Sequence, residues 1–187
     1  MTNICLVRHG ETFWNSLHKI QGRQDISLNL NGINQSIDLG NRLKQLNINW
    51  DYVYSSPLKR AYETAKVSLD TANINKEIIL DDELVERAFG ELEGAPVNKE
   101  NYVIMVNGGA SGMESLDDLK VRSYNAIINI CKKHPNTNIL VYTHSQVIKG
   151  LLTYLDNNFD FTSPLGNTSL NFFSYENDNL KLVGLNK

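Results

Sequence analysis

Four short apolar runs divide the chain: residues 4–7 (Ile-Cys-Leu-Val), 52–55 (Tyr-Val-Tyr-Ser), 78–80 (Ile-Ile-Leu) and 139–142 (Ile-Leu-Val-Tyr). Each is too short for a helix and too uniformly apolar for a half-exposed strand, so each reads as a buried strand. Between them the apolar positions recur at helical spacing. One helix is expected over 30–46, with Asn29 as cap and Ile33, Ile37 and Leu43 as its apolar stripe. A second follows residue 55, with Ser56 as cap and Pro57 in its first turn. A third is expected over 114–133, with Ser115 and Asp118 as a variant capping box and Leu116, Leu119, Ala126, Ile127 and Ile130 on one face. His134-Pro135 ends that helix, and a fourth covers 146–155. Residues 13–29 read as a polar loop, and 96–113, with Gly108-Gly109 and Gly112, as a flexible segment. A hairpin closes the chain, about 168–175 and 179–185, around Glu176-Asn177-Asp178. Strands alternating with helices predict an α/β three-layer α/β/α sandwich. Its sheet is mainly parallel, with antiparallel edge strands from the hairpin.

At 187 residues the chain is expected to form a single domain, 1–187. With 41% hydrophobic and 21% charged residues it can bury a substantial core. The net charge of −3 gives no support to a nucleic-acid or membrane-surface partner, so an anionic ligand must be met by a local cluster of cations. No apolar run approaches the ~18 residues a membrane helix needs. No basic segment followed by an apolar stretch suggests a secretory signal, so a cytoplasmic location is expected. Cys5 and Cys131 lie in apolar patterns without metal-ligand spacing and read as buried free thiols.

The chemistry gathers where strands stop. The first run ends abruptly at Arg8-His9-Gly10-Glu11-Thr12, and the fourth ends at Thr143-His144-Ser145. The space beyond a strand's carboxyl end is where open parallel sheets bind ligands, so both imidazoles are delivered to one rim. Arg8 suits a bidentate hold on phosphate or carboxylate. Arg60 falls in the first turn of the second helix, where free N–H groups and the helix dipole already favour anions. No Asp/Glu/His cluster has metal-ligand spacing, so no metal and no cofactor are expected.

Arg8-His9-Gly10-Glu11-Thr12 and the block Ser56-Pro57-Leu58-Lys59-Arg60-Ala61-Tyr62-Glu63-Thr64-Ala65 together resemble the histidine phosphatase superfamily, in its phosphoglycerate mutase-like branch. The likeness extends through Asn15, Gly22, Asp25 and Leu28 and the block around Glu86, Phe89-Gly90 and Gly94 to His144. It departs at Ser145-Gln146, where the family usually continues with Gly, and at Lys149, where Arg is common. The resemblance implies a phosphoglycerate mutase-like fold. It makes Arg8, His9, Arg60, Glu86 and His144 the catalytic set, and places Asn15, Thr12, Gln21, Gly22, Arg87 and Ser145 at the substrate. On that reading His9 takes the phosphoryl group as neutral imidazole, Glu86 is general acid and then base, and water completes the turnover of a small phosphorylated metabolite. Segment 96–113 would cap the site, with Arg23, Arg87 and Lys99 as candidate cations at its rim. Two alternatives stand beside the phosphatase. A mutase would return the phosphoryl group to the substrate, but mutases carry an arginine pair in a longer insertion, and residues 100–121 here contain no Arg. A non-catalytic phospho-ligand-binding module would not need both histidines, both arginines and Glu86.

Overall fold

The computed structural model describes residues 1–187. Its elements are β1 (Thr2–Arg8), α1 (Phe13–Ser16), α2 (Leu30–Leu46), β2 (Tyr52–Ser55), α3 (Lys59–Ala72), β3 (Ile78–Leu80), α4 (Lys99–Asn107), α5 (Leu116–Lys133), β4 (Asn138–Thr143), α6 (Ser145–Leu155), β5 (Leu170–Glu176) and β6 (Asn179–Gly184), with single 3₁₀ turns at Asp82–Leu84 and Gly90–Leu92. One six-stranded sheet runs in the order β3-β2-β4-β1-β5-β6. The first four strands are parallel, while β5 and β6 pair antiparallel at one edge. Asn177 and Asp178, both at positive φ, close the terminal hairpin, as two-residue hairpin turns require.

Unbroken apolar runs are needed because β1 and β4 are covered on both faces. Ile4, Leu6, Ile139 and Val141 point to one core, shared with Ile127 and Ile130 of α5 and Ile148 and Leu151 of α6. Cys5, Val7, Leu140 and Tyr142 point to the other, shared with Leu39 and Leu43 of α2 and Ala65 and Leu69 of α3. The result is the three-layer α/β/α sandwich, with a mainly parallel sheet. Cys5 and Cys131 are both buried and unpaired. No helix is long and apolar enough to cross a membrane.

The structure corrects several local expectations. Ile33 and Ile37 of α2 are 39% and 38% exposed, and the buried face carries Gly32, Ser36, Leu39, Gly40 and Leu43 instead. Small residues face inward because α3 comes very close: a Cβ on Gly40 would sit 2.5 Å from the Thr71 Cβ. Neither Ser56 nor Pro57 opens α3. Its N-cap position is Leu58, which contributes no side-chain bond, and Asp25 Oδ1 accepts from the Lys59 amide at 2.7 Å from across the 13–29 loop. That loop contains the one-turn α1, closed by a reciprocal Thr12–Asn15 capping box. The 96–113 segment, read as flexible from its glycines, holds α4, capped by Asn98, ahead of those glycines.

Candidate active site

β1 and β4 pair in parallel with Arg8 opposite Thr143. The next residues, His9 and His144, therefore leave the sheet side by side. The His9 amide extends the ladder by donating to the Thr143 carbonyl at 3.0 Å, and the two rings lie 5.2 Å apart between centroids, tilted by 59°. The chain from β1 turns toward the α2/α3 layer and that from β4 into α6 on the opposite layer. The pair thus occupies the crevice at which α/β sheets bind ligands.

His9 Nδ1 is 2.6 Å from the Gly10 carbonyl oxygen. A carbonyl only accepts, so Nδ1 carries the proton and Nε2 keeps its lone pair. The His9 carbonyl accepts from Asn167 Nδ2 at 2.8 Å, which fixes the peptide as well as the ring. Across from it, His144 Nε2 is 2.9 Å from Ser56 Oγ, and His144 Nδ1 is buried without a partner. Burial holds both imidazoles well below the ordinary histidine range, and the guanidiniums of Arg60 and Arg8 add to the effect. Both rings are neutral at pH 7.

The two arginines are anchored in similar ways. Arg60 is fully buried, its Nη1 and Nη2 donating to the carbonyls of Gln24 and Gly22 at 2.7 Å each. Arg8 Nη1 donates to the Leu165 carbonyl. In each, Nε is buried and unpaired. Burial pushes Arg60 down to about 10, against the pull of Glu86 and Asp25, and it stays charged at neutral pH. Glu86 is 7% exposed. It accepts from the Arg87 amide at 2.9 Å and, more weakly, from the Gln146 amide at 3.4 Å. Desolvation raises its pKa, while those amides together with Arg60 and Arg8 pull it back. Its proton affinity therefore depends on what else occupies the site.

Arg8, His9, Asn15, Gln21, Gly22, Arg60, Glu86 and Ser145 line one cavity of about 120 Å³, joined by Gln146 and by an upper wall of Lys19, Ile20, Phe89, Val97 and Met105. Three sequence candidates lie outside that wall. His144 is fully buried beside His9. Thr12, fully buried, holds its hydroxyl 2.9 Å from Gln21 Oε1 and accepts from the Asn15 amide, so it orients two lining residues. Arg87 is 1% exposed and donates to the carbonyls of Met105 at 2.7 Å and Glu114 at 2.9 Å. It ties α4 and the chain leading into α5 to its own segment and lies outside the cavity lining. The other suspected rim cations do not line the cavity either: Arg23 pairs with Glu114 at 3.8 Å, and Lys99 is exposed in the first turn of α4. Sequence reasoning missed Lys19 and the apolar upper wall. Phe89 and Ile20 belong with Leu92 to a small separate core packed against Ile104 and Met105 of α4, whose residues show no common period. No group of three His, Cys, Asp or Glu side chains is placed to hold a metal ion.

An α/β sandwich that presents two neutral imidazoles beside the buried guanidinium of Arg60 and the half-buried one of Arg8 is a scaffold for phosphoryl transfer to histidine. The chain belongs to the histidine phosphatase superfamily (branch 1), matching it over residues 4–187. It is 36% identical to the uncharacterized phosphatase PhoE of Bacillus subtilis over 153 residues, spanning 82% of this chain and 77% of that protein. It is also 36% identical to a metal-independent phosphoserine phosphatase of Arabidopsis thaliana over 162 residues, 81% of this chain and 67% of that protein. Among solved structures, phosphoserine phosphatase of Entamoeba histolytica in complex with 3-phosphoglyceric acid superposes with a TM-score of 0.85 at 32% identity, covering 100% of this chain and 98% of that one. The chain is an enzyme of the histidine phosphatase class, which works through a phosphohistidine intermediate.

Proposed function

We propose that the protein hydrolyses small phosphate monoesters with His9 as nucleophile and Glu86 as general acid and base. The observation that carries this reading is the pair of imidazoles 5.2 Å apart, flanked by two arginines whose buried Nε atoms have no partner. Phosphate monoesters are among the slowest molecules to hydrolyse, so the site must neutralise the equatorial oxygens and hold the nucleophile in line. Arg8, Arg60 and the side-chain NH2 of Asn15 supply donors for those oxygens. A bound dianion also raises the proton affinity of His144, which then adds a further charge. Charge-assisted hydrogen bonds contribute about 1.5–3 kcal/mol each, so the cluster acts collectively.

In the first step the Nε2 lone pair of His9 forms the N–P bond as the P–O ester bond breaks, and the leaving oxygen takes the proton of Glu86. In the second, the Glu86 carboxylate removes a proton from water, the water oxygen bonds to phosphorus, and the N–P bond breaks to release phosphate. We read residues 1–187 as one domain whose 96–113 segment caps the site, acting on a small phosphorylated metabolite rather than on nucleic acid or at a membrane surface. The two unpaired thiols suit a reducing, cytoplasmic setting. A cap without arginine across 100–121 favours transfer to water over return to substrate. The test is phosphate release from p-nitrophenyl phosphate. His9→Ala abolishes turnover, and His144→Ala lowers kcat by roughly 10²–10³. Full activity in the His9 variant overturns the mechanism.

A further inference from the structure

Gln146, the second residue of α6, lines the cavity together with Glu86, and its backbone amide is 3.4 Å from Glu86 Oε2. Its side-chain Oε1 is buried without a hydrogen-bond partner. A buried acceptor of that kind calls for a hydrogen from whatever the site takes in. The lining is otherwise rich in donors. Arg8, Arg60 and Lys19 have only N–H groups to offer, and the Ser145 hydroxyl can donate. Asn15 Oδ1 accepts from the Thr12 amide at 3.1 Å, and Gln21 Oε1 stands 2.9 Å from the Thr12 hydroxyl. Both side chains therefore keep their NH2 groups for a ligand. All these donors suit the oxygens of a phosphoryl group, which accept. Gln146 Oε1 has nothing to offer an oxyanion, and its partner must carry a hydrogen.

We infer that Gln146 positions the attacking water of the second step, its Oε1 accepting from one hydrogen of the water while Glu86 takes the other. This inference rests on the phosphatase reading. The water must present its oxygen to phosphorus in line with the N–P bond, so both of its hydrogens have to be held away from the phosphoryl group. As the water oxygen bonds to phosphorus, one proton passes to the Glu86 carboxylate and the N–P electron pair returns to His9 Nε2. The second hydrogen stays on the oxygen and leaves with the phosphate. An amide oxygen holds that hydrogen without removing it, the part a glutamine plays toward the attacking water in GTP hydrolysis. The first step makes no use of Gln146, because the leaving oxygen takes its proton from Glu86.

Single-turnover labelling tests it. Enzyme in excess over an ester radiolabelled in its phosphoryl group is quenched in alkali at increasing times, and phosphohistidine is counted. In Gln146→Met, similar in length but without the acceptor, label from p-nitrophenyl phosphate appears at the wild-type rate. It then decays roughly tenfold more slowly, the rate equivalent of one neutral hydrogen bond. Label from glycerol 3-phosphate behaves in the same way, because Glu86 still protonates the alkoxide; a residue that merely placed Glu86 would slow its appearance. Unchanged decay, or appearance slowed along with decay, overturns the assignment of Gln146 and leaves the phosphatase reading standing. Slower appearance from glycerol 3-phosphate alone also overturns it and assigns Gln146 to the leaving alcohol. A wild-type enzyme that neither ester labels overturns both.

Discussion

Glu86→Gln separates the two halves of the proposed reaction. The substitution is almost isosteric, and its structural cost is small. A glutamine oxygen still accepts from the Arg87 amide at 2.9 Å, and only the longer 3.4 Å contact with the Gln146 amide is lost, worth about 0.5–1 kcal/mol. Removing a carboxyl whose charge is disfavoured by burial offsets part of that. Stability therefore changes by less than ~1 kcal/mol. The catalytic loss is larger, since a positioned general acid contributes roughly 10²–10⁴ in rate, or about 2.7–5.4 kcal/mol. That loss must depend on the leaving group. An alkoxide cannot depart unprotonated, so turnover of an alkyl phosphate such as glycerol 3-phosphate falls by the full factor without a burst. A nitrophenolate leaves without a proton, so p-nitrophenyl phosphate still phosphorylates His9 quickly, and the missing base slows the second step instead. Stopped-flow absorbance then shows a burst of nitrophenolate of about one equivalent per site, followed by slow turnover. Equal rate losses on both substrates with no burst would refute Glu86 as the proton carrier.

Three further outcomes follow from the same geometry. Arg60→Lys keeps a charge but loses the fork that ties Gly22 and Gln24 to α3; two buried carbonyls left unpaired destabilise the fold by about 2–4 kcal/mol, and kcat/KM falls by roughly 10², read by urea titration and steady-state kinetics. Folding is also linked to pH through His9 and His144. Because burial lowers both pKa values in the fold, the unfolded chain takes up protons first near ~6.5, so their stabilising contribution is intact above that pH and is lost as pH falls below it, at up to about 2.7 kcal/mol per pH unit for the two, with the raised pKa of Glu86 opposing in the acid range. The His9→Gln/His144→Gln double variant shows a shallower fall in urea midpoint between pH 7 and 5.5, and an unchanged slope contradicts the buried neutral pair. Gly32→Ala brings a Cβ to 2.0 Å from the Glu11 carbonyl oxygen, a backbone clash at the turn that carries His9 and Gly10; it costs about 3 kcal/mol or more and lowers activity with stability, whereas a Tm within a degree or two of wild type refutes the close approach.

The sheet and the floor of the site were legible because their signals are local. Buried strands announce themselves as apolar runs, and His9 and His144 stand at the points where two such runs stop. What could not be read was set by long-range packing. The 30–46 segment offers two plausible inner faces, and only the proximity of α3 selects the glycine and serine face over Ile33 and Ile37. Helix α4 contains the run Tyr102-Val103-Ile104-Met105-Val106, apolar without helical period, so nothing in it distinguishes helix from loop. Arg87 reads as a surface charge or a ligand, yet its partners are the carbonyls of Met105 and Glu114, well downstream of it in sequence. The carbonyl that anchors Arg8 comes from Leu165, 157 residues away. Lys19 is a loop lysine until the pairing of its neighbours with Ala95 and Val97 brings it to the cavity wall.

The most direct test of the account is to find the covalent intermediate. Enzyme mixed with p-nitrophenyl phosphate radiolabelled in its phosphoryl group is quenched in alkali, where phosphohistidine survives, then digested and mapped. The account predicts one equivalent or less of label, confined to the peptide containing His9, absent from His9→Ala and accumulating in Glu86→Gln. Label on another residue, or full turnover in an enzyme that never becomes labelled, would contradict it.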